Sequence, residues 1–245
     1  MVMTRPLGGV VPSRMTYSGV CARLTGPSPS GSEYHAGGAK RVIVVVDYGV
    51  GNLGSIVNML HRIGSEAVVS NDAATVGKAD RLILPGVGAF DPAIGRLRES
   101  GLVEHLYRRV VEECAPLLGI CLGMQLLTER SEEGRLPGLG WIPAETVRFR
   151  FPEGVTDLRI PHVGWNTVEP RPGAPLFESA PPDRRYYFAH SYHVRCRDER
   201  HVLATTRHGV EFHSAVRRDN IFGTQFHPEK SHRYGMDLLR AFAAL

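Results

Sequence analysis

The chain has 245 residues, 42% of them hydrophobic and 22% charged, with 29 Lys and Arg against 25 Asp and Glu for a net charge of +4. That composition and length support a substantial buried core and exclude wholesale disorder, while no apolar run approaches the roughly 18 residues of a membrane span. The charge balance gives little support to a nucleic-acid partner, because Arg5, Arg14, Arg23 and Lys40 against Glu33 put +3 in residues 1–40 and leave +1 for the rest.

Residues 1–40 show neither a period-2 nor a 3.6-residue apolar pattern, and they carry Gly-Pro-Ser-Pro-Ser-Gly-Ser at 26–32. Such a segment buries too little surface to offset its ordering entropy and reads as a flexible extension. Its Arg and Ser content weakly resembles an organelle transit peptide; a plain disordered extension and a true start nearer Arg41 are the blander readings. It lacks the apolar core of a secretory signal. Cys21, Cys114, Cys121 and Cys196 are irregularly spaced, without a C-x-x-C pair, which argues against a zinc site or a stapled secreted scaffold. A reducing cytoplasm, with at least one free thiol, is the expectation.

From Arg41 the pattern sharpens. Val42–Val46 is a continuous β-branched run, as in a strand buried on both faces of a parallel sheet. The loop 47–52 follows, then Leu53, Ile56, Val57, Leu60 and Ile63 at helical spacing. Short strands are predicted at 67–69 and 81–84, a helical stretch through Leu97, further helical apolar positions at Val103, Leu106, Val110 and Val111, and a strand over 116–120. Strands alternating with helices imply right-handed crossovers, with functional loops at the carboxyl ends of the strands. Beyond Trp141 the signal changes to short strands at 145–149, 185–189, 201–206, 211–217 and 221–225, several joined by turn residues such as His208-Gly209 and Asp219-Asn220. A last helix is predicted from about Arg233 to Leu245, with Leu238, Leu239 and Phe242 inward. The expected fold is α/β: a mostly parallel central sheet flanked by helices, with an antiparallel portion in the C-terminal half, forming one domain over 41–245.

Two glycine-rich loops invite chemical readings. Gly49-x-Gly51-x-x-Gly54 matches a dinucleotide-binding spacing, but alone it marks a tight turn into a helix more often than a cofactor site. Gly119-Ile120-Cys121-Leu122-Gly123 has the layout of a nucleophile elbow with cysteine in place of serine, between a strand and a helix over 122–128. There a thiol projects at a helix N-terminus, where the dipole favours thiolate. His227 ends the apolar strand before Pro228-Glu229, so Cys121, His227 and Glu229 form a candidate nucleophile, base and orienting acid.

Pro85-Gly86-Val87-Gly88, the elbow continued through Met124-Gln125-Leu126-Leu127, and Gln225-Phe226-His227-Pro228-Glu229-Lys230-Ser231 together resemble the triad-type (class I) glutamine amidotransferases. Pro161-His162-Val163-Gly164-Trp165-Asn166, Tyr187-Phe188-Ala189-His190-Ser191-Tyr192 and Ser131-Glu132-Glu133-Gly134 narrow the resemblance to the glutaminase subunits of imidazole glycerol phosphate synthases. The resemblance covers 41–245; Val163, where Met is common, and the long extension are its departures. It implies that Cys121 attacks the side-chain amide of glutamine, that His227 and Glu229 complete the triad, and that backbone N–H groups of Leu122 and the Gly86, Val87, Gly88 loop meet the oxyanion. It implies that Gln125, Glu133, Ser191 and Tyr192 hold glutamine, with no metal or organic cofactor. Ammonia would pass to a (β/α)8-barrel synthase subunit in a heterodimer, with Asn52, Trp165 and Lys230 at or near the interface; for Trp165 a buried core position competes. Another class I amidotransferase, or a stand-alone cysteine hydrolase of this fold, is the alternative.

Overall fold

The computed structural model describes residues 41–154 and 156–245; the extension expected over 1–40 lies outside the described residues. The first half alternates as expected: β1 (Val42–Val46), α1 (Leu53–Arg62), β2 (Glu66–Ser70), α2 (Ala73–Val76), β3 (Arg81–Leu84), α3 (Phe90–Glu99), α4 (Leu102–Tyr107), β4 (Leu117–Ile120) and α5 (Leu122–Leu126). The short α2 has no counterpart in the apolar periodicity; Asp72 caps it by accepting the Thr75 N–H at 2.8 Å. After α4 the helix widens into a π turn over Arg108–Glu112, and α5 is shorter than the 122–128 expected.

The second half adds β5 (Arg130–Ser131), β6 (Ala144–Arg148), β7 (His162–Thr167), β8 (Glu169–Pro170), β9 (Arg185–His190), β10 (Tyr192–Cys196), β11 (Val202–His208), β12 (Val210–Arg218), β13 (Ile221–Thr224) and α6 (His232–Ala244). The main sheet runs β2-β1-β3-β4-β13-β12-β10-β6-β5, parallel from β2 through β13 and antiparallel from β13 through β6. β11 pairs with β12 and β8, and β7 pairs with β9 in a separate antiparallel ribbon. Gly209 and Asp219, at φ 72° and 53°, turn the two hairpins flagged by their sequences.

Both faces of the central strands β1, β3, β4 and β13 are buried, which is why they read as apolar runs apart from Arg81 at the start of β3 and Thr224 at the end of β13. Val44 and Val46 face a core with Phe90, Leu97, Leu106 and Trp141; Ile43 and Val45 face one with Ile56, Leu60, Leu238, Leu239 and Phe242. The expected inward face of the last helix is thus observed. The carboxyl ends of β1, β3, β4 and β13 converge at one edge, and the candidate site lies there.

Candidate active site

Cys121 is the single residue between β4 and α5, at φ 54° and ψ −112°. A side chain in that region is strained, and the surroundings hold it: its N–H donates to Thr224 O at 2.7 Å and its carbonyl accepts the Gln125 N–H at 3.2 Å. The flanking glycines are steric necessities. A Cβ on Gly119 would lie 2.8 Å from the Met124 backbone, and one on Gly123 would lie 1.9 Å from Leu84 O. β4, α5 and the end of β3 therefore pack backbone to backbone, as an elbow requires.

His227 lies just past β13, its N–H donating to Tyr187 O at 2.9 Å and its carbonyl accepting the Ser231 hydroxyl at 2.6 Å. Its Nδ1 is 2.8 Å from Glu229 Oε1, in the short turn Pro228–Lys230, so Nδ1 carries a proton toward Glu229 and Nε2 serves the Cys121 side. The Glu229 side chain is 2% exposed and its Oε2 has no hydrogen-bond partner among the described residues, which leaves the carboxylate's charge directed at the imidazole. Burial alone would lower the His227 pKa; hydrogen bonding to Cys121 and Glu229, with their charges, outweighs it and lifts the value to about 10.

A pocket of about 340 Å³ opens over these residues, within the size class of small-molecule sites. Val87, Gly88, Cys121, Leu122, Gln125, Glu133, Ser191, Tyr192 and His227 all line it, so most of the residues singled out in the sequence meet here. Gly86 lies behind the wall, where a Cβ would come within 2.5 Å of Gly123 N. Glu133 Oε2 accepts the Phe90 N–H at the start of α3 at 3.0 Å, while burial, with Asp91 nearby, raises its pKa against the effect of that bond. Lys230 also lines the pocket, its ammonium 5.7 Å from the Tyr187 ring centroid. Asn52 and Trp165 stand outside it. Asn52 is exposed at the start of α1; Trp165 is 45% exposed and stacks on His232, with centroids 5.5 Å apart and planes within 5°. A buried core position for Trp165 is thereby overturned, since β7 alternates outward there.

Two contributors have roles that the sequence reading did not assign. Gln225 is fully buried and its Nε2 lies 3.7 Å from Cys121 Sγ, an amide donor suited to negative charge on sulfur. Parallel pairing sets Thr224 opposite Ile120, so the next residue of each strand falls side by side. Tyr48 donates its hydroxyl to Pro85 O at 2.6 Å, and a Cβ on Gly51 would lie 2.9 Å from Pro85 Cβ. The loop after β1 thus braces the loop after β3, and Gly51 serves that close approach.

The sequence model of the family described as glutamine amidotransferase class-I matches residues 44–244. Solved structures under 25% identical share the fold: one described as a glutamine amidotransferase, with a TM-score of 0.62 at 24% identity over 82% of this chain and 98% of that one, and PurLQS from Thermotoga maritima, with 0.63 at 18% over 83% and 98%. Among curated proteins, the imidazole glycerol phosphate synthase subunit HisH 2 of Methanococcus maripaludis is 51% identical over 82% of this chain and 98% of its own length. The HisH 2 subunit of Pseudomonas aeruginosa is 48% identical over 83% and 100%, and the HisH subunit of Bdellovibrio bacteriovorus 45% over 83% and 100%. The chain therefore belongs to the class I glutamine amidotransferases and, within them, to the HisH family of imidazole glycerol phosphate synthase subunits.

Proposed function

We propose that residues 41–245 form one amidotransferase domain that hydrolyses glutamine in histidine biosynthesis and hands the ammonia to a (β/α)8-barrel synthase subunit, in a cytoplasmic heterodimer. The observation that carries this reading is His227, held between Cys121 and the buried Glu229 at the floor of the pocket.

In this reading the Cys121 thiolate attacks the side-chain carbonyl carbon of glutamine, forming a C–S bond and an oxyanion. Backbone N–H groups of Leu122 and of the Gly86, Val87, Gly88 loop meet that charge; such donors typically contribute about 10²–10³ in rate each. The tetrahedral centre collapses, the C–N bond breaks, and His227 gives its proton to the departing ammonia. His227 then takes a proton from water as it attacks the thioester, releasing glutamate and restoring the thiolate, while Glu229 holds the ring in one tautomer. Gln125, Glu133, Ser191 and Tyr192 surround the bound glutamine. The partner uses ammonia to close the imidazole ring, giving imidazole glycerol phosphate and an aminoimidazole carboxamide ribotide, which makes the complex a lyase as well as a glutaminase.

Support for a docked partner comes from exposed apolar side chains: Val87 (44% exposed) and Val163 (59%) line the pocket with Lys230, and Trp165, two residues beyond Val163 on β7, is also left in solvent. The test is glutamate release with and without the barrel subunit and its nucleotide ligand, in wild type and Cys121→Ala. The expected result is partner-dependent release that the substitution abolishes, with ammonia-driven synthesis intact. Strong release by the chain alone, unchanged by partner and ligand, would make it a stand-alone hydrolase; stimulation by a different synthase would make it the subunit of another amidotransferase.

A further inference from the structure

At the pocket wall, β7 and β9 set His162 opposite His190, which lines the pocket, and their rings belong to a hydrogen-bond chain whose direction is fixed at both ends. At one end the Tyr192 carbonyl, which only accepts, lies 2.8 Å from His190 Nδ1, so that nitrogen carries the proton. At the other end Asn166 Oδ1 accepts the Thr167 N–H at 2.8 Å, which turns Asn166 Nδ2 toward Arg207 O at 3.0 Å and His162 Nε2 at 3.2 Å. His162 Nε2 is then an acceptor, and its protonated Nδ1 donates to His190 Nε2 at 3.0 Å. Backbone groups that cannot reverse set the two ends independently, and they demand the same direction: every proton points from Asn166 toward Tyr192.

Both rings must be neutral, because a second proton on either would set donor against donor. Burial, reinforced by neighbouring His208, lowers His162 to about 4, and burial takes His190 well below its usual value. The receiving carbonyl is available for a reason of register. Phe149 N–H donates to Ser191 O at 3.2 Å, so Tyr192, opposite Arg148, falls at a non-hydrogen-bonded position of the β6–β10 ladder. Its other lone pair takes Gln125 Nε2 at 3.1 Å; the second proton of that nitrogen goes to Gln225 Oε1 at 3.1 Å, and Gln225 Nε2 faces Cys121 Sγ.

We propose that His162 and His190 are positioning residues for the glutamine site, supplying the directional hydrogen bond that anchors the Tyr192 carbonyl and, through it, the orientation of Gln125 and Gln225. His162 does not line the pocket, so it acts only through His190. The assignment rests on reading the pocket as a glutamine site.

The first test is spectroscopic and independent of that reading. Long-range nitrogen–proton correlation spectra of the full chain with labelled histidine should show two rings in the Nδ1–H tautomer, unchanged between about pH 6 and pH 8. Finding either ring as Nε2–H, or titrating in that interval, overturns the proposal. The second test is kinetic, in the complex. His162→Phe keeps the ring stacked on Phe188 and His208, with centroids at 4.7 and 4.1 Å, but deletes both hydrogen bonds. It should raise KM for glutamine about five- to tenfold with kcat within about threefold, and His162→Gln, which restores an amide donor and acceptor, should recover most of the loss. An unchanged KM in a folded His162→Phe protein overturns the positioning role; if that variant fails to fold, the same comparison is made between wild type and His162→Gln, where a lost Nδ1–H signal at His190 with unchanged KM overturns it. A wild-type complex that releases no glutamate refutes the glutamine reading, and with it the role in substrate binding, even where the tautomers are as stated.

Discussion

Gly123→Ala isolates the geometry of the elbow from its chemistry. The added Cβ would lie 1.9 Å from Leu84 O, 2.9 Å from Leu84 C and 3.1 Å from Pro85 C, all backbone atoms that no rotamer change can move. Reaching ordinary contact requires the start of α5 to shift from the end of β3 by about 1 Å or more, and overpacking of this kind costs about 1–3 kcal/mol. For a domain of this size that is a melting temperature lower by about 2–12 °C, at about 2–4 °C per kcal/mol. The effect on turnover should be larger than the effect on stability, since the same shift displaces Cys121 from His227 and the oxyanion donors, and a misplacement of about 1 Å costs on the order of 100-fold. Calorimetry and glutamate release in the complex read the two separately, with Gly54→Ala as the contrast. Gly54 lies in α1, and among the described residues nothing beyond its chain neighbours and its own helix backbone comes within 4 Å of the place an added methyl would take, so alanine there should leave stability equal or higher by about 0.5–1 kcal/mol. If Gly123→Ala turned over glutamine at the wild-type rate, the backbone-to-backbone account of the elbow would be wrong.

The remaining predictions concern charge and bracing. His227, lifted to about 10, should stay protonated through neutral pH in the folded chain, and a ring titration near 6.5 would contradict the Cys121–His227–Glu229 arrangement. Because the folded value is raised, its stabilising contribution is complete below the unfolded pKa of about 6.5 and is lost as pH rises through about 10, which denaturant titrations across that window will show. Tyr48→Phe removes the hydroxyl donor to Pro85 O and should cost about 1–3 kcal/mol for the acceptor left buried, with glutamine turnover falling as the loop after β3 loosens. Trp165→Ala should leave the melting temperature within about 2 °C while reducing stimulation by the barrel subunit; a large loss of stability would return this side chain to a structural role.

The parallel half and the elbow were readable because continuous apolar runs and paired glycines leave few alternatives: β1 and β3 fall on their predicted residues, and Gly119 and Gly123 flank Cys121 as the turn demands. β7 and β10 were not: in His162-Val-Gly-Trp-Asn-Thr the apolar Val163 and Trp165 face outward while the buried His162 has its polarity satisfied by His190 of β9, and Tyr192-His-Val-Arg-Cys alternates over only five residues. Tertiary hydrogen bonding there overrides strand propensity. The roles of Gln225, although it stands in the quoted motif, and of Tyr48 were not legible for a related reason. Each acts across a strand register or a loop contact that local spacing does not encode.

The position of β13 in the sheet bears on when the chain becomes reactive. It inserts between β4 and β12, so His227 reaches Cys121 only after a loop of about a hundred residues has closed, among the costliest contacts in this topology. A chain still emerging from the ribosome, or one clipped within its last strands, carries at Cys121 a thiol without its imidazole. In the proposed mechanism, the pairing that gives the thiol its base therefore waits on completion of the sheet.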